Sequence, residues 1–74
     1  MKDRVYQIFA TVFEIPIEAV KDDISQSNFD KWDSIMHLML ISDLEIEFKT
    51  SFEPEEIEHL KSLSDVLEQI AGKI

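Results

Sequence analysis

The sequence predicts an all-α fold: a small four-helix bundle of three main helices and one short helix, with a long first loop. Apolar residues recur at helical spacing in three separate stretches, and polar or proline-marked breaks fall between them. The length of 74 residues leaves room for one domain, 1–74. A chain this short buries only about 60% of the surface its unfolded form exposes, so modest stability is expected.

In the first helix Val5, Ile8, Phe9 and Val12 fall at i, i+3, i+4 and i+7, and Tyr6 and Phe13 widen that face. The helix is predicted to stop near Glu14-Ile15, because Pro16 disfavours helical geometry in the residue before it. Residues 16–33 read as a long ordered loop with one helical turn near 17–20, and Phe29 and Trp32 plug the edge of the core. A connection of that length in so small a domain is often functional.

The second helix is predicted from about Ser34 to Phe48 and carries two apolar stripes. Leu40, Ile41, Leu44 and Phe48 cluster on one side with His37. Ile35, Leu38, Met39 and Ile46 cluster on the other with Ser42. One stripe must be core. The second means either a nearly surrounded helix or an apolar surface offered to something else, and methionine suits an adaptable contact surface. Pro54 is placed as the first residue of the short helix, with Glu53, Glu55 and Glu56 near its positive end and Ile57 and Leu60 on its buried side. Ser62 and Asp65 resemble a capping box ahead of Leu63, Val66, Leu67 and Ile70, and Gly72 is the expected end signal.

Composition narrows the chemistry. The chain has no cysteine, hence no disulfide, thiolate metal site or cysteine nucleophile, and two distant histidines make no zinc site. No metal is expected. The Asp22, Asp23, Asn28 and Asp30 cluster lacks the alternating acids, glycine and closing glutamate of a calcium loop. No signal peptide and no span of roughly 20 apolar residues is evident, so a cytoplasmic protein without membrane insertion is expected. A net charge of −9 repels nucleic acid. Between Asp33 and Glu58 there are eight acids and one base, Lys49. That excess serves either solubility or docking to basic patches on partner proteins.

Ser34 follows Asp33 at the predicted start of the second helix. Either residue can be the helix cap. If Asp33 caps, the Ser34 hydroxyl faces outward beside free N–H groups and a positive helix end, which suits a phosphodiester. No G-x-S-x-G elbow accompanies this serine, and the chain has one glycine in total, so hydrolase chemistry is not expected. His37, one turn on, lies in an apolar stripe and reads as a core or pocket residue rather than a catalytic one.

Over essentially its whole length the chain resembles the acyl carrier proteins. The residues that carry the likeness are Asp33-Ser34-Ile35, the helix end Leu44-Glu45-Ile46-Glu47-Phe48, Phe52-Glu53-Pro54-Glu55-Glu56-Ile57 and Leu63-Ser64-Asp65-Val66-Leu67. Phe13-Glu14-Ile15-Pro16 and Asp23 through Phe29 also look like that family's first-helix end and loop. The resemblance implies that a phosphopantetheinyl transferase attaches 4′-phosphopantetheine from coenzyme A to Ser34. The arm's thiol then carries acyl groups as thioesters, which supplies sulfur to a protein without cysteine. It implies a free-standing, monomeric carrier, not an enzyme, that shuttles between acyl-activating and acyl-transferring enzymes with basic docking patches. The partner face it implies is Asp33, Ile35, Leu38, Met39 and Glu45, with Glu56 on the short helix. An aminoacyl or peptidyl carrier is the alternative within the class, and an unmodified acidic helical adaptor the alternative outside it. Lys31-Trp32 replaces the family's usual Gly-x before the serine, Ile35 replaces leucine, and Met36, Met39 and Ile46 stand where acids are usual. The more apolar recognition helix points to partners outside housekeeping fatty acid synthesis.

Overall fold

The structure, a computed structural model, describes residues 2–73. Helix α1 spans Lys2–Phe13, a 3-10 turn Ile17–Ala19, α2 Ser34–Phe48, α3 Pro54–His59 and α4 Leu63–Lys73. The four helices and the long loop are those the sequence predicts. Val5, Phe9, Val12 and Phe13 of α1 meet Leu40, Ile41 and Leu44 of α2 and Leu63, Val66 and Ile70 of α4 in one apolar core. Leu60 is fully buried between α3 and α4, and Phe52 closes the core ahead of α3.

Helix ends follow a rule that the sequence conceals. At the close of α1, Glu14 takes a left-handed conformation at φ 53°, and Ile15 N–H donates to the Ala10 carbonyl at 3.1 Å. At the close of α2, Lys49 does the same at φ 52°, and Thr50 N–H donates to the Glu45 carbonyl at 3.1 Å. Both are Schellman closures, which satisfy orphan carbonyls and normally place glycine at the left-handed residue. The first helix therefore ends by chain reversal at Glu14, with Pro16 serving instead to open the 3-10 turn. Conversely, Gly72, expected to end the last helix, lies inside α4, which runs on to Lys73 without a positive φ at the glycine.

The loop between α1 and α2 is fastened at several points. Leu63 N–H donates to the Ile24 carbonyl at 2.9 Å and Gln26 N–H to the Lys61 carbonyl at 2.8 Å, around an isolated antiparallel bridge between Ser25 and Ser62. Asn28 bonds the Ser25 N–H and the Asp23 carbonyl, so this part of the acidic cluster shapes the loop. Asp22 bonds the Tyr6 hydroxyl and Lys2 of α1. Val20, Ile24 and Trp32 are buried, and Phe29 is half-buried edge-on to Phe13 at 5.2 Å. At α4 the Ser62 hydroxyl accepts from Asp65 N–H at 3.1 Å, as a cap should. The Asp65 carboxylate reaches Lys61 N–H, one residue beyond the position a capping box would use.

A left-handed residue with a Cβ costs about 1–2 kcal/mol relative to the right-handed form, and glycine avoids most of that cost. Glu14→Gly and Lys49→Gly are each expected to stabilise the protein, by about 0.5–1 kcal/mol or about 4 °C in Tm. Glu14→Gly gains more, because it also removes an acid from the negative end of a helix whereas Lys49→Gly removes a base. Thermal denaturation of the two variants checks both the sign and the order.

Candidate functional site

Asp33 is the cap of α2. Its extended backbone (φ −99°, ψ −175°) precedes the helix, its side-chain Oδ1 accepts from Met36 N–H at 2.9 Å, and its carbonyl accepts from His37 N–H at 2.8 Å. Ser34 is thereby the first helical residue, and it is exposed. The N–H groups of Ser34 and Ile35 occupy the first two helical positions, where no intrahelical acceptor exists. The helix they open is 15 residues long, so its positive end is well developed. A phosphodiester on the Ser34 hydroxyl would lie beside those two amides, and its charge would be favoured there.

Beside Ser34 lies an open cleft of about 440 Å³ lined by Gln26, Trp32, Asp33, Ser34, His37 and Leu38. His37 is half-buried, and both its ring nitrogens are engaged. The Trp32 indole N–H donates to Nδ1 at 2.9 Å, and Nε2 lies 2.9 Å from the Ile57 carbonyl of α3. An indole nitrogen can only donate, so Nδ1 is the acceptor and Nε2 carries the proton. With neither nitrogen turned to Ser34, the ring is not arranged as a base for that hydroxyl. Sequence reasoning placed His37 in the core or a pocket but not its partners. Trp32 sits in irregular chain, where no periodicity relates it to α2.

The second apolar stripe of α2 is open. Ile35 is 72% exposed, Leu38 63%, Met39 51% and Ile46 73%, while Leu40, Ile41 and Leu44 on the other side are buried. The open row runs about 16 Å from Ile35 to Ile46 at 1.5 Å per residue. Its far end meets a second groove, of about 470 Å³, between α1 and α2, lined by residues that include Arg4, Ile8, Asp43, Ile46 and Glu47.

The two acids singled out on this side have internal partners. Glu45 Oε2 accepts from Phe52 N–H at 2.8 Å and so shapes the turn into α3. Glu56 Oε1 accepts from Glu53 N–H at 2.8 Å and from Lys73 Nζ at 3.1 Å, which ties α3 to the end of α4. Asp43 and Glu47 are exposed along the flank of the stripe, and Glu47 pairs with Arg4 at 3.0 Å. The backbone N–H of Glu53, with Lys73 beside it, holds the Glu56 carboxyl below the usual glutamate range.

A lowered folded-state pKa means that the Glu56 contribution is complete above the ordinary glutamate value and disappears as pH falls through the lowered one. Glu56→Gln is therefore expected to be less stable than the parent at neutral pH. The difference should shrink steadily as the pH drops below 4.5, the ordinary glutamate value. Urea denaturation across that range measures it.

Comparison with known proteins identifies the family and the fold. The family model for the phosphopantetheine attachment site matches residues 3–70. A solved structure of a protein proposed to be an acyl carrier protein, from Mycobacterium tuberculosis, superposes with a TM-score of 0.88 at 16% identity. The match covers 99% of this chain and 97% of that one. No curated protein gives a significant sequence match. At that level of identity the structural likeness shows the fold, and the family model carries the assignment.

Proposed function

The chain belongs to the family of phosphopantetheine attachment domains, whose prosthetic group is covalently bound 4′-phosphopantetheine, and from that premise we propose that it is an acyl carrier protein modified at Ser34. The observation that carries the reading is an exposed serine at the first position of a long helix, with the neighbouring Asp33 taking the cap. Capping by Asp33 leaves the hydroxyl free to be modified. A phosphopantetheinyl transferase supplies the arm from coenzyme A, and the arm supplies the thiol that a chain without cysteine lacks. His37 takes no part in chemistry at the serine, since both its nitrogens are engaged. Acyl groups are the proposed cargo, carried as thioesters between enzymes that load and transfer them.

The partner face consists of the open row Ile35, Leu38 and Met39 beside the attachment point, extended by Ile46 and bordered by Asp33. Glu45 and Glu56 stand at the edge toward α3, where a partner's cation would compete with Phe52 N–H and Lys73 for them. Exposed Asp43 and Glu47 provide charge on the other edge. Burying apolar surface contributes about 25 cal/mol per Å², so a row of four large side chains favours docking by apolar contact, with the acids steering approach.

Incubating the protein with coenzyme A and a broad-specificity transferase is expected to add the mass of one phosphopantetheine, and Ser34→Ala should abolish the gain. An unchanged mass in the parent protein would sink the carrier reading in favour of an unmodified adaptor. Offering the modified protein to fatty-acyl and aminoacyl adenylating enzymes then separates acyl from aminoacyl cargo. Met39→Glu and Ile46→Glu are expected to weaken docking to a loading enzyme at least about tenfold, while stability stays within about 0.5 kcal/mol because both sites are exposed. Binding titrations paired with thermal melts test this, and a large drop in Tm would show that the row is part of the core.

A further inference from the structure

We infer that His37 is a positioning residue for the modification of Ser34: it fastens Trp32, two residues before the serine, to α3 and so fixes the path by which the chain enters α2. The inference rests on the reading of Ser34 as the attachment point. It starts from one ring that holds two elements at once, with Trp32 Nε1 at 2.9 Å from Nδ1 and the Ile57 carbonyl at 2.9 Å from Nε2. The two rings lie 5.9 Å apart, tilted by 31°. On the cleft side Gln26 Nε2 stands 3.5 Å from the same Nδ1 and from the Leu60 carbonyl, so it lies over the link.

Each partner needs this ring. Trp32 is 4% exposed, with its indole edge-on to Phe9 at 5.4 Å and near Phe13 at 5.8 Å. Burial makes its N–H costly to leave unpaired. Ile57 belongs to the last turn of α3, where carbonyls lack intrahelical donors, and its other contact, from Leu60 N–H, is long at 3.3 Å. Only the neutral ring with its proton on Nε2 satisfies both groups.

Between Trp32 and Ser34 the chain is short and tightly folded. Trp32 N–H donates to the Phe29 carbonyl at 3.0 Å and Asp33 N–H to the Lys31 carbonyl at 3.1 Å. A change in the seat of the indole is therefore carried directly to Asp33, whose carboxylate caps the helix, and to the serine one residue on. His37 touches neither the hydroxyl nor a cofactor. It acts through Trp32. Displacement of a reacting group by about 1 Å is enough to lower a rate by up to about a hundredfold, so a link that holds the serine's approach affects how fast an enzyme can modify it.

The test uses the apo protein, coenzyme A and a phosphopantetheinyl transferase. Trp32→Phe keeps an aromatic ring beside Phe9 and Phe13 and deletes the donor, while His37→Gln cannot bridge both partners. Each is expected to lower kcat for transfer about tenfold, with KM for the carrier unchanged because the exposed face of α2 is untouched. The double variant should be no slower than either single one, since all three break the same link. In the parent protein the Trp32 indole proton should exchange with solvent at least about tenfold more slowly than that of free indole, a measurement that needs no variant. Folded variants with parental kcat would overturn the proposal, as would free exchange of the indole proton. Losses that merely track the unfolded fraction of each variant would show a structural role and overturn it too. Failure of the parent protein to accept the arm would instead refute the reading of Ser34.

Discussion

The Trp32 indole is packed between Phe9 and Phe13 of α1 and held at its nitrogen by His37 of α2. Twenty residues separate the end of α1 from the start of α2, and the only regular element among them is a single 3-10 turn. A connection of that length gains little from its own backbone bonds, so side chains must bring it back to the bundle. Val20, Ile24 and Trp32 do so by burial, and the bridge between Ser25 and Ser62 adds a backbone tie to α4. Trp32 is the last of these anchors before Ser34. The position of the serine follows from it.

Helix α2 is apolar on two sides, and one of them is covered. Helices α1 and α4 supply Phe9, Val5, Leu63, Val66 and Ile70 against Leu40, Ile41 and Leu44, and among the described residues Ile35, Leu38, Met39 and Ile46 stay exposed. Small domains leave a larger share of their surface in water, and here that share includes a row of large side chains. A net charge of −9 opposes self-association through this row. In the proposed docking mode the same excess of acids favours a partner that brings cationic groups.

The acids divide by what they bond. Asp33, Glu45, Glu56 and Asp65 accept from backbone N–H groups at turns and helix ends, so they shape the loops around α2, α3 and α4. Asp22 holds α1 to the loop through Lys2 and Tyr6. Asp43 stands exposed along the open side of α2, and Glu47 beside it pairs with Arg4 of α1. A carboxylate that accepts a backbone N–H has satisfied an orphan donor and is less free to meet a partner's cation.

Local chemistry is what the sequence by itself determined. The spacing of Val5, Phe9 and Val12, the Asp33-Ser34 helix start, Pro54 at the head of α3 and Ser62 at the head of α4 each act within a few residues, so each was legible from neighbours in the chain. Ser34 as the candidate attachment point came from the resemblance to the acyl carrier proteins, to which its place at a helix start lent support. The tertiary structure decided which stripe of α2 is covered, because periodicity sets the angle between two stripes but not the direction from which other helices approach. It also decided that Glu45 and Glu56 close turns, that His37 joins Trp32 to α3, and that Glu14 and Lys49 reverse the chain where no glycine marks the place. Each of these depends on a group distant in sequence or on a backbone angle that the residue type does not announce. Packing supplied what the local pattern lacked.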